Sequence, residues 1–494
     1  MIKKYKISQL MQESGVNFGT SGARGLVSAM TDRVCFAYTV GFLEYLKTQD
    51  EFFPGKKVAI AGDLRPSTKR IKHACKKAIE YCGGEAIDVG EVPTPTLCYY
   101  SYAKGYPSLM VTGSHIPDDR NGIKFNRSHG EFLKPDEAGM RQCDVDLDED
   151  LFDNAGMLLD VAEEENIVDI SKEYISRYVD FFGEKSLEGI KLGVYEHSAV
   201  GRDIVTAIVK KLGAEVVSLG RSETFIPVDT EAVREEDISL AKKWSSTLGL
   251  DAILTTDGDS DRPLLADENG EWIRGDVLGI LASLYVNAKG VATPISCNTA
   301  LELTENFLEV QRTKIGSPYV VEAMNELTEK GVSPVVGYEA NGGFLLNSTF
   351  TQGDKSMKPL PTRDALLPML CALMSVKKDV KTNTLSEVIA TLPERYTLSD
   401  RIQNIPRDQS LKILEPLMQD SGYKKAEKIF ECLDSNVRNI NCIDGVRINF
   451  DTDDIIHLRP SGNAPELRIY VESNSIDGVD RLLETTFSIV KSWV

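Results

Sequence analysis

Apolar and polar positions fall into blocks along this chain, and the blocks repeat. Residues 57–90 run as the strand-like KVAIAG, the polar turn DLRPST, a helix-like stretch ending AIEYCGG, and the strand-like EAIDVG. Residues 191–220 follow the same plan: KLGVYEHSAVG, a helical stretch ending AIVKKLG, then AEVVSLG. The glycines near the helix ends are stop signals, and strand, helix, strand predicts parallel pairing across a helical crossover. A third, weaker copy begins near Val291, passes through the helix-like Val320–Gly331 and reaches the strand-like Pro334-Val335-Val336. This predicts three similar α/β domains with mainly parallel mixed sheets, each sandwiched by helices.

From about residue 396 the pattern changes. Asp444–Phe450 and Ile455–Leu458 read as two strands joined by an acidic turn. Leu467–Val471 reads as another strand, and roughly 477–493 as a closing helix. The expected division is 1–160, 161–275, 276–395 and a small C-terminal α+β domain at 396–494. A chain of 494 residues suits three or four domains.

Each repeat places a polar, glycine-rich loop after an apolar strand. The loops are Thr112-Gly113-Ser114-His115, then Asp257-Gly258-Asp259-Ser260-Asp261-Arg262, then Gly337-Tyr338-Glu339-Ala340-Asn341-Gly342-Gly343. Ligand sites in α/β sheets lie beyond the carboxyl ends of strands, so the three loops are expected to share one cleft.

DGDSDR is the strongest chemical signal. Three aspartates at alternate positions can meet one hard divalent cation such as Mg²⁺ or Ca²⁺. An EF-hand would put Glu268 at its twelfth position, but Arg262 occupies the sixth, where the turn needs glycine. A solvated acidic turn is the bland reading. Ser114 reads as a helix N-cap, a turn residue or a reactive hydroxyl. A Ser-His-Asp hydrolase has little support: the G-x-S-x-G elbow is missing, and adjacent residues such as Ser114 and His115 rarely aim at each other. FGTSGARG (Phe18–Gly25) and RPSGNAPELR (Arg459–Arg468) are either ordinary turns or anion cradles built from arginine, hydroxyl and backbone N–H groups.

The formal charge of −19 with no long basic cluster argues against nucleic acid and anionic membranes as partners. Nine cysteines without a C-x-x-C pair argue against a disulfide framework or a zinc site. The N-terminus lacks the apolar run of a secretory signal, and the longest apolar stretch, Ala365–Val376, is too short to span a bilayer. The cytoplasm is the expected compartment.

Taken in order, GTSGARG, TGSHIP, DGDSDR, GYEANGG and RPSGNAPELR resemble the α-D-phosphohexomutase superfamily over nearly the whole chain. The resemblance implies a heart-shaped, four-domain enzyme with a central cleft. It implies that Ser114 carries a phosphoryl group and joins Asp257, Asp259 and Asp261 in binding Mg²⁺. It places Arg24, Lys124 and His115 with Ser114 in the catalytic set, Lys124 as acid/base, and Arg262 near the transferring phosphate. Glu339 and Asn341 become sugar contacts. Arg459, Ser461, Gly462 and Asn463 become the holder of the other phosphate. The implied reaction shifts phosphate between C1 and C6 of a hexose through a hexose 1,6-bisphosphate, which also serves as activator.

Some positions depart from common patterns of the family: Ile116 for asparagine, Asn341 for serine, Gly343 where some phosphomannomutases carry histidine, and GNAP for GTEP. None removes a phosphate or metal ligand. A phosphomannomutase is the leading expectation, with a phosphoglucomutase or dual enzyme next. A catalytically silent sugar-phosphate binding protein and a metal-dependent phosphatase are the readings from other classes. The sequence carries no signal for oligomeric state.

Overall fold

In a computed structural model describing all residues but 20, 161–165, 379–381, 420, 462–464 and 494, the first repeat forms around the strand Lys57–Gly62. Its side chains sort onto two faces with the period of two that a strand imposes. Val58 and Ile60 enter one core with Ile71, Ala74, Cys75, Ala78 and Ile79 of the helix Thr68–Tyr81, whose spacing makes one apolar stripe. Ala59 and Ala61 enter a second core with Leu97 of the helix Thr94–Lys104 on the opposite side.

The three repeats share one sheet plan. In the first, Lys57–Gly62 pairs in parallel with Glu85–Glu91 and Ser108–Val111. In the second, Lys191–Tyr195 pairs in parallel with Glu215–Leu219 and Ala252–Thr256. In the third, Gly290–Pro294 pairs in parallel with Glu309–Thr313 and Val335–Tyr338. Beyond this three-strand part each sheet turns antiparallel. Arg120–Asn126, Pro263–Ala266 and Phe344–Leu346 each return beside the strand that precedes the polar loop. The sheets are thus mixed, and less parallel than the pattern predicts. Parallel pairing needs a crossover of about a dozen residues or more, and these loops are too short for one.

Asn17–Phe18 pairs antiparallel with Ala23–Leu26, which in turn pairs with Arg120–Asn126 and sets Arg24 opposite Gly122. The C-terminal unit is a five-stranded antiparallel sheet in the order Tyr396–Gln403, Glu466–Ser473, Ile455–Pro460, Val446–Phe450, Val437–Asn441. The closing helix is Ile476–Lys491, and the helices Arg407–Met418 and Gly422–Ile429 add to the expected elements.

The second and third units share an apolar core, with Leu192, Leu254 and Leu265 joined to Tyr338, Phe344 and Leu370. The C-terminal unit keeps its own, including Leu414, Phe430, Ile448, Phe450, Leu458 and Ile469. Its link to the third unit is polar: Arg395 Nε donates to Glu472 Oε1 at 2.7 Å and to Thr299 Oγ1 at 3.0 Å, and the Thr299 N–H donates to Glu472 at 3.1 Å. Cys432 and Cys442 are exposed, whereas Cys35, Cys75, Cys98, Cys297 and Cys371 are buried. Among the described residues no helix is long and apolar enough to cross a membrane.

Candidate active site

The strand Ser108–Val111 delivers Ser114 into the interior in a left-handed backbone conformation, φ 57°. For a residue with a Cβ this costs about 1–3 kcal/mol, so the surroundings must hold it. Arg65 does so. Its Nη2 donates to the Ser114 carbonyl at 2.9 Å and to the Ile116 carbonyl, and its Nη1 to the carbonyls of Pro117 at 2.7 Å and Arg120 at 3.0 Å. Its Nε donates to Asp63 at 3.0 Å, and the guanidinium lies 4.1 Å from the centre of the Phe225 ring in the second unit. No helix begins at Ser114, since the next is Lys134–Gln142, so the N-cap reading falls. Its Oγ lies 2.6 Å from Asp257 Oδ2 and is not paired with His115, so the hydrolase reading falls as well.

The second loop, between Ala252–Thr256 and Pro263–Ala266, brings one carboxylate oxygen each of Asp257, Asp259 and Asp261 within 4.8 Å of one another, all three side chains buried. Asp257 Oδ1 accepts the N–H groups of Asp261 and Arg262, both at 3.2 Å. Asp259 Oδ1 and Asp261 Oδ1 are buried with no hydrogen-bond partner. Two orphaned carboxylate oxygens beside a third carboxylate fit a hard divalent cation. The EF-hand reading fails: strands flank the loop, and Glu268 is engaged by the Ser386 hydroxyl.

Burial, then the charges of Asp259 and Asp261, push Asp257 up to about 8. A dication in the triad would relieve both neighbours' repulsion. For Asp259 burial also acts upward, but the Lys124 ammonium and the Thr94 hydroxyl outweigh it and hold the carboxyl below its usual range. Lys124, from the strand Arg120–Asn126, sets its Nζ 2.5 Å from Asp259 Oδ2 and 2.6 Å from Asp261 Oδ2.

Three guanidinium groups crowd the same wall. The Arg24 guanidinium has no hydrogen bond to any described residue, and burial together with Arg262 lowers it to about 10. Arg262 Nη1 donates to His115 Nδ1 at 2.8 Å, while its buried Nε finds no hydrogen-bond partner. Arg363 donates through Nε to Asp261 at 3.0 Å and through Nη1 to Glu339 at 3.3 Å. Burial, then Arg262, pulls His115 down to about 3. It is a neutral ring at neutral pH, with its Nδ1 lone pair engaged. That geometry suits aiming Arg262.

In the third loop Asn341 Oδ1 accepts the Gly343 N–H at 2.9 Å and its Nδ2 lies 3.5 Å from Glu339 Oε2. Glu339, Asn341, Arg24, His115, Arg262, Arg459 and Ser461 all line one cleft of about 340 Å³. Gly462 and Asn463 lie outside the described residues. Ser114 and the aspartates stand behind the cleft wall, buried. The structure adds residues that the motifs do not reveal: Arg65, Thr94, Arg363, and Asp229, Thr230 and Glu231 from the second unit. The one sequence cue was the acidic and basic pair in DLRPST directly after a strand, in the first repeat.

Models of phosphoglucomutase/phosphomannomutase domains match the chain four times in order: alpha/beta/alpha domain I at 15–141, domain II at 172–270, domain III at 274–396 and the C-terminal domain at 404–488. A phosphomannomutase of Salmonella muenchen is 42% identical over 492 residues, covering 99% of this chain and 98% of the relative. One of Sinorhizobium fredii is 40% identical, covering 97% and 99%. The crystal structure of a phosphoglucomutase/phosphomannomutase family protein of Burkholderia thailandensis superposes with a TM-score of 0.74 at 19% identity, covering 97% of this chain and 98% of that one. With a serine on an aspartate triad and four matched domains in one order, the chain belongs to the phosphoglucomutase/phosphomannomutase family of phosphohexomutases.

Proposed function

We propose that this enzyme moves phosphate between C1 and C6 of a hexose, with mannose phosphate as its preferred substrate. The observation that carries the reading is the Ser114 hydroxyl 2.6 Å from Asp257 of a buried aspartate triad, with the buried Arg262 and Arg363 and the half-buried Arg24 close by. The substrate is drawn from the two relatives named phosphomannomutase at 40–42% identity.

Phosphorylated Ser114 gives its phosphoryl group to the free hydroxyl of the sugar. The Ser114 Oγ–P bond breaks, a sugar O–P bond forms, and Lys124, entering this step as the neutral amine, takes the hydroxyl proton. The resulting hexose 1,6-bisphosphate turns in the cleft. Its other phosphoryl group returns to Ser114 Oγ while Lys124 gives the proton back. The same bisphosphate, supplied from outside, activates enzyme whose Ser114 is unphosphorylated. Mg²⁺ held by Asp257, Asp259, Asp261 and the phosphoserine supplies counter-charge for a group carrying about −1.5 to −2 near neutral pH. Arg24, Arg262 and Arg363 add fixed positive charge along the same wall, and in-line transfer asks for little beyond placement and charge. His115 orients Arg262. Glu339 and Asn341 contact sugar hydroxyls. Arg459 and Ser461, with Gly462 and Asn463, hold the phosphate that is not transferred. The domains, divided near 160, 275 and 395, each bring one loop to this cleft.

The test gives purified enzyme Mg²⁺, a trace of glucose 1,6-bisphosphate, and separately mannose, glucose or glucosamine 1-phosphate. ³¹P NMR then follows the 6-phosphate products. Fastest conversion of mannose 1-phosphate, abolished by Ser114→Ala, is expected. Faster conversion of glucose 1-phosphate overturns the substrate, and undiminished turnover in Ser114→Ala overturns the mechanism.

A further inference from the structure

Arg459 meets the cleft with its Nε already engaged. Asp444 Oδ2 accepts that N–H at 2.8 Å, while neither Nη group has a hydrogen bond to a described residue. Asp444 does not belong to the arginine's own strand. It stands in the turn between Val437–Asn441 and Val446–Phe450. The next residue, Gly445, has φ 85°, and a Cβ there would come within 3.0 Å of the Arg459 Cα, so the turn lies flat against the Arg459 strand. The Asp444 carbonyl accepts His457 Nε2 at 2.6 Å, a second tie from the same strand as Arg459.

The same Asp444 Oδ2 accepts a second donor, the N–H of Ile315 at 3.0 Å. Ile315 belongs to the third unit, between Glu309–Thr313 and the helix Ser317–Glu329, and it also lines the cleft. One carboxylate oxygen therefore joins the C-terminal unit's arginine to the backbone of its neighbour.

We infer that Asp444 is a positioning residue: it aims the guanidinium of Arg459 into the cleft while the Ile315 segment is docked against it. This rests on Arg459 as a contact of the untransferred phosphate. A guanidinium held at Nε presents its two Nη groups as a planar fork, the geometry that grips a phosphate bidentately. A guanidinium released from that hold keeps its charge and loses its direction. Binding should suffer, and transfer at Ser114 should not.

The experiment measures KM and kcat with mannose 1-phosphate for Asp444→Asn, Arg459→Ala and the double variant, with circular dichroism confirming the fold of each. Asp444→Asn keeps size and shape. It is expected to raise KM roughly tenfold, toward the lower end of what a charge-assisted hydrogen bond is worth, and to leave kcat within about twofold. In the Arg459→Ala background the same change is expected to add nothing, because the residue it serves is gone. If Arg459→Ala raises KM and Asp444→Asn does not, the positioning role is refuted and the phosphate reading stands. If the two effects multiply in the double variant, Asp444 does not act through Arg459, and the inference fails. If Arg459→Ala leaves KM unchanged, the phosphate reading itself fails. Any loss of folding from Asp444→Asn occurs in both backgrounds, so the cycle cancels it.

Discussion

Arg65→Lys isolates the support beneath Ser114 from the chemistry proposed for it. The native guanidinium spends five N–H donors on Asp63 and on the carbonyls of Ser114, Ile116, Pro117 and Arg120. Its side chain is fully buried. A lysine keeps the charge opposite Asp63 but has three donors and no planar fork, which leaves at least two acceptors unpaired. Three of the acceptors, the carbonyls of Ile116, Pro117 and Arg120, are only part-buried, so each bond lost costs about 0.5–1.5 kcal/mol and the loop loses about 1–3 kcal/mol of support. That matches the cost of holding Ser114 at a positive φ, about 1–3 kcal/mol, and the serine is expected to relax away from Asp257. A displacement of about 1 Å lowers turnover about 100-fold. The assay is steady-state turnover of mannose 1-phosphate with saturating Mg²⁺ and activator. The expected result is a kcat lower by about 100-fold with KM within about twofold. Native turnover in Arg65→Lys would refute the reasoning. So would a raised KM with native kcat, because the loop would then serve binding and not placement.

Other expectations follow from the same geometry. Asp259→Asn removes one of three charges from the triad, so Mg²⁺ affinity by calorimetry is expected to fall at least about tenfold and turnover about 100-fold or more; unchanged affinity would rule out the triad as the metal site. Gly258→Ala places a Cβ 2.6 Å from the Ser114 carbonyl oxygen, and turnover is expected to fall about tenfold or more while the melting temperature changes little. Burial, as the leading cause, lowers His197 and His457 each to about 4. Above pH 6.5 these rings are neutral both folded and unfolded. As pH falls from 6.5 toward 4 the unfolded chain takes up protons that the folded chain refuses, so stability drops, by about 2 kcal/mol per ring at pH 5. A melting temperature that stays flat between pH 7 and pH 5 would contradict the buried neutral rings.

The sequence made most of the site legible because its ligands come from short contiguous loops. Asp257, Asp259 and Asp261 share six residues, and the loop alone brings them together. The residues that escaped are those whose place depends on tertiary packing. Arg65 precedes Ser114 by 49 residues, Thr94 reaches Asp259 across 165, and Arg363 reaches Asp261 across 102. The repeats were legible because period two and period 3.6 both leave marks when one face is buried, as in Ile71, Ala74, Cys75, Ala78 and Ile79. The helix Arg407–Met418 was not, since it buries only Ser410, Leu414 and Leu417. The antiparallel return after each loop escaped because strand direction is set by loop length and leaves no hydrophobic mark of its own.

The separate core of the C-terminal unit has a thermal consequence. Its apolar residues are spent inside itself, and it meets the third unit through Arg395, Glu472, Thr299, Ile315 and Asp444. Swinging it away wets charged and backbone groups and little hydrocarbon. Exposed hydrocarbon is what gives unfolding its large positive heat-capacity change, and polar groups contribute a smaller change of opposite sign. A form of the cleft opened in this way would therefore differ little in heat capacity from the one described. Their balance would lack the strong curvature with temperature that governs the stability of the cores, and the buried Arg395–Glu472 pair, which salt screens only weakly, would be the stronger control on the enzyme's grip.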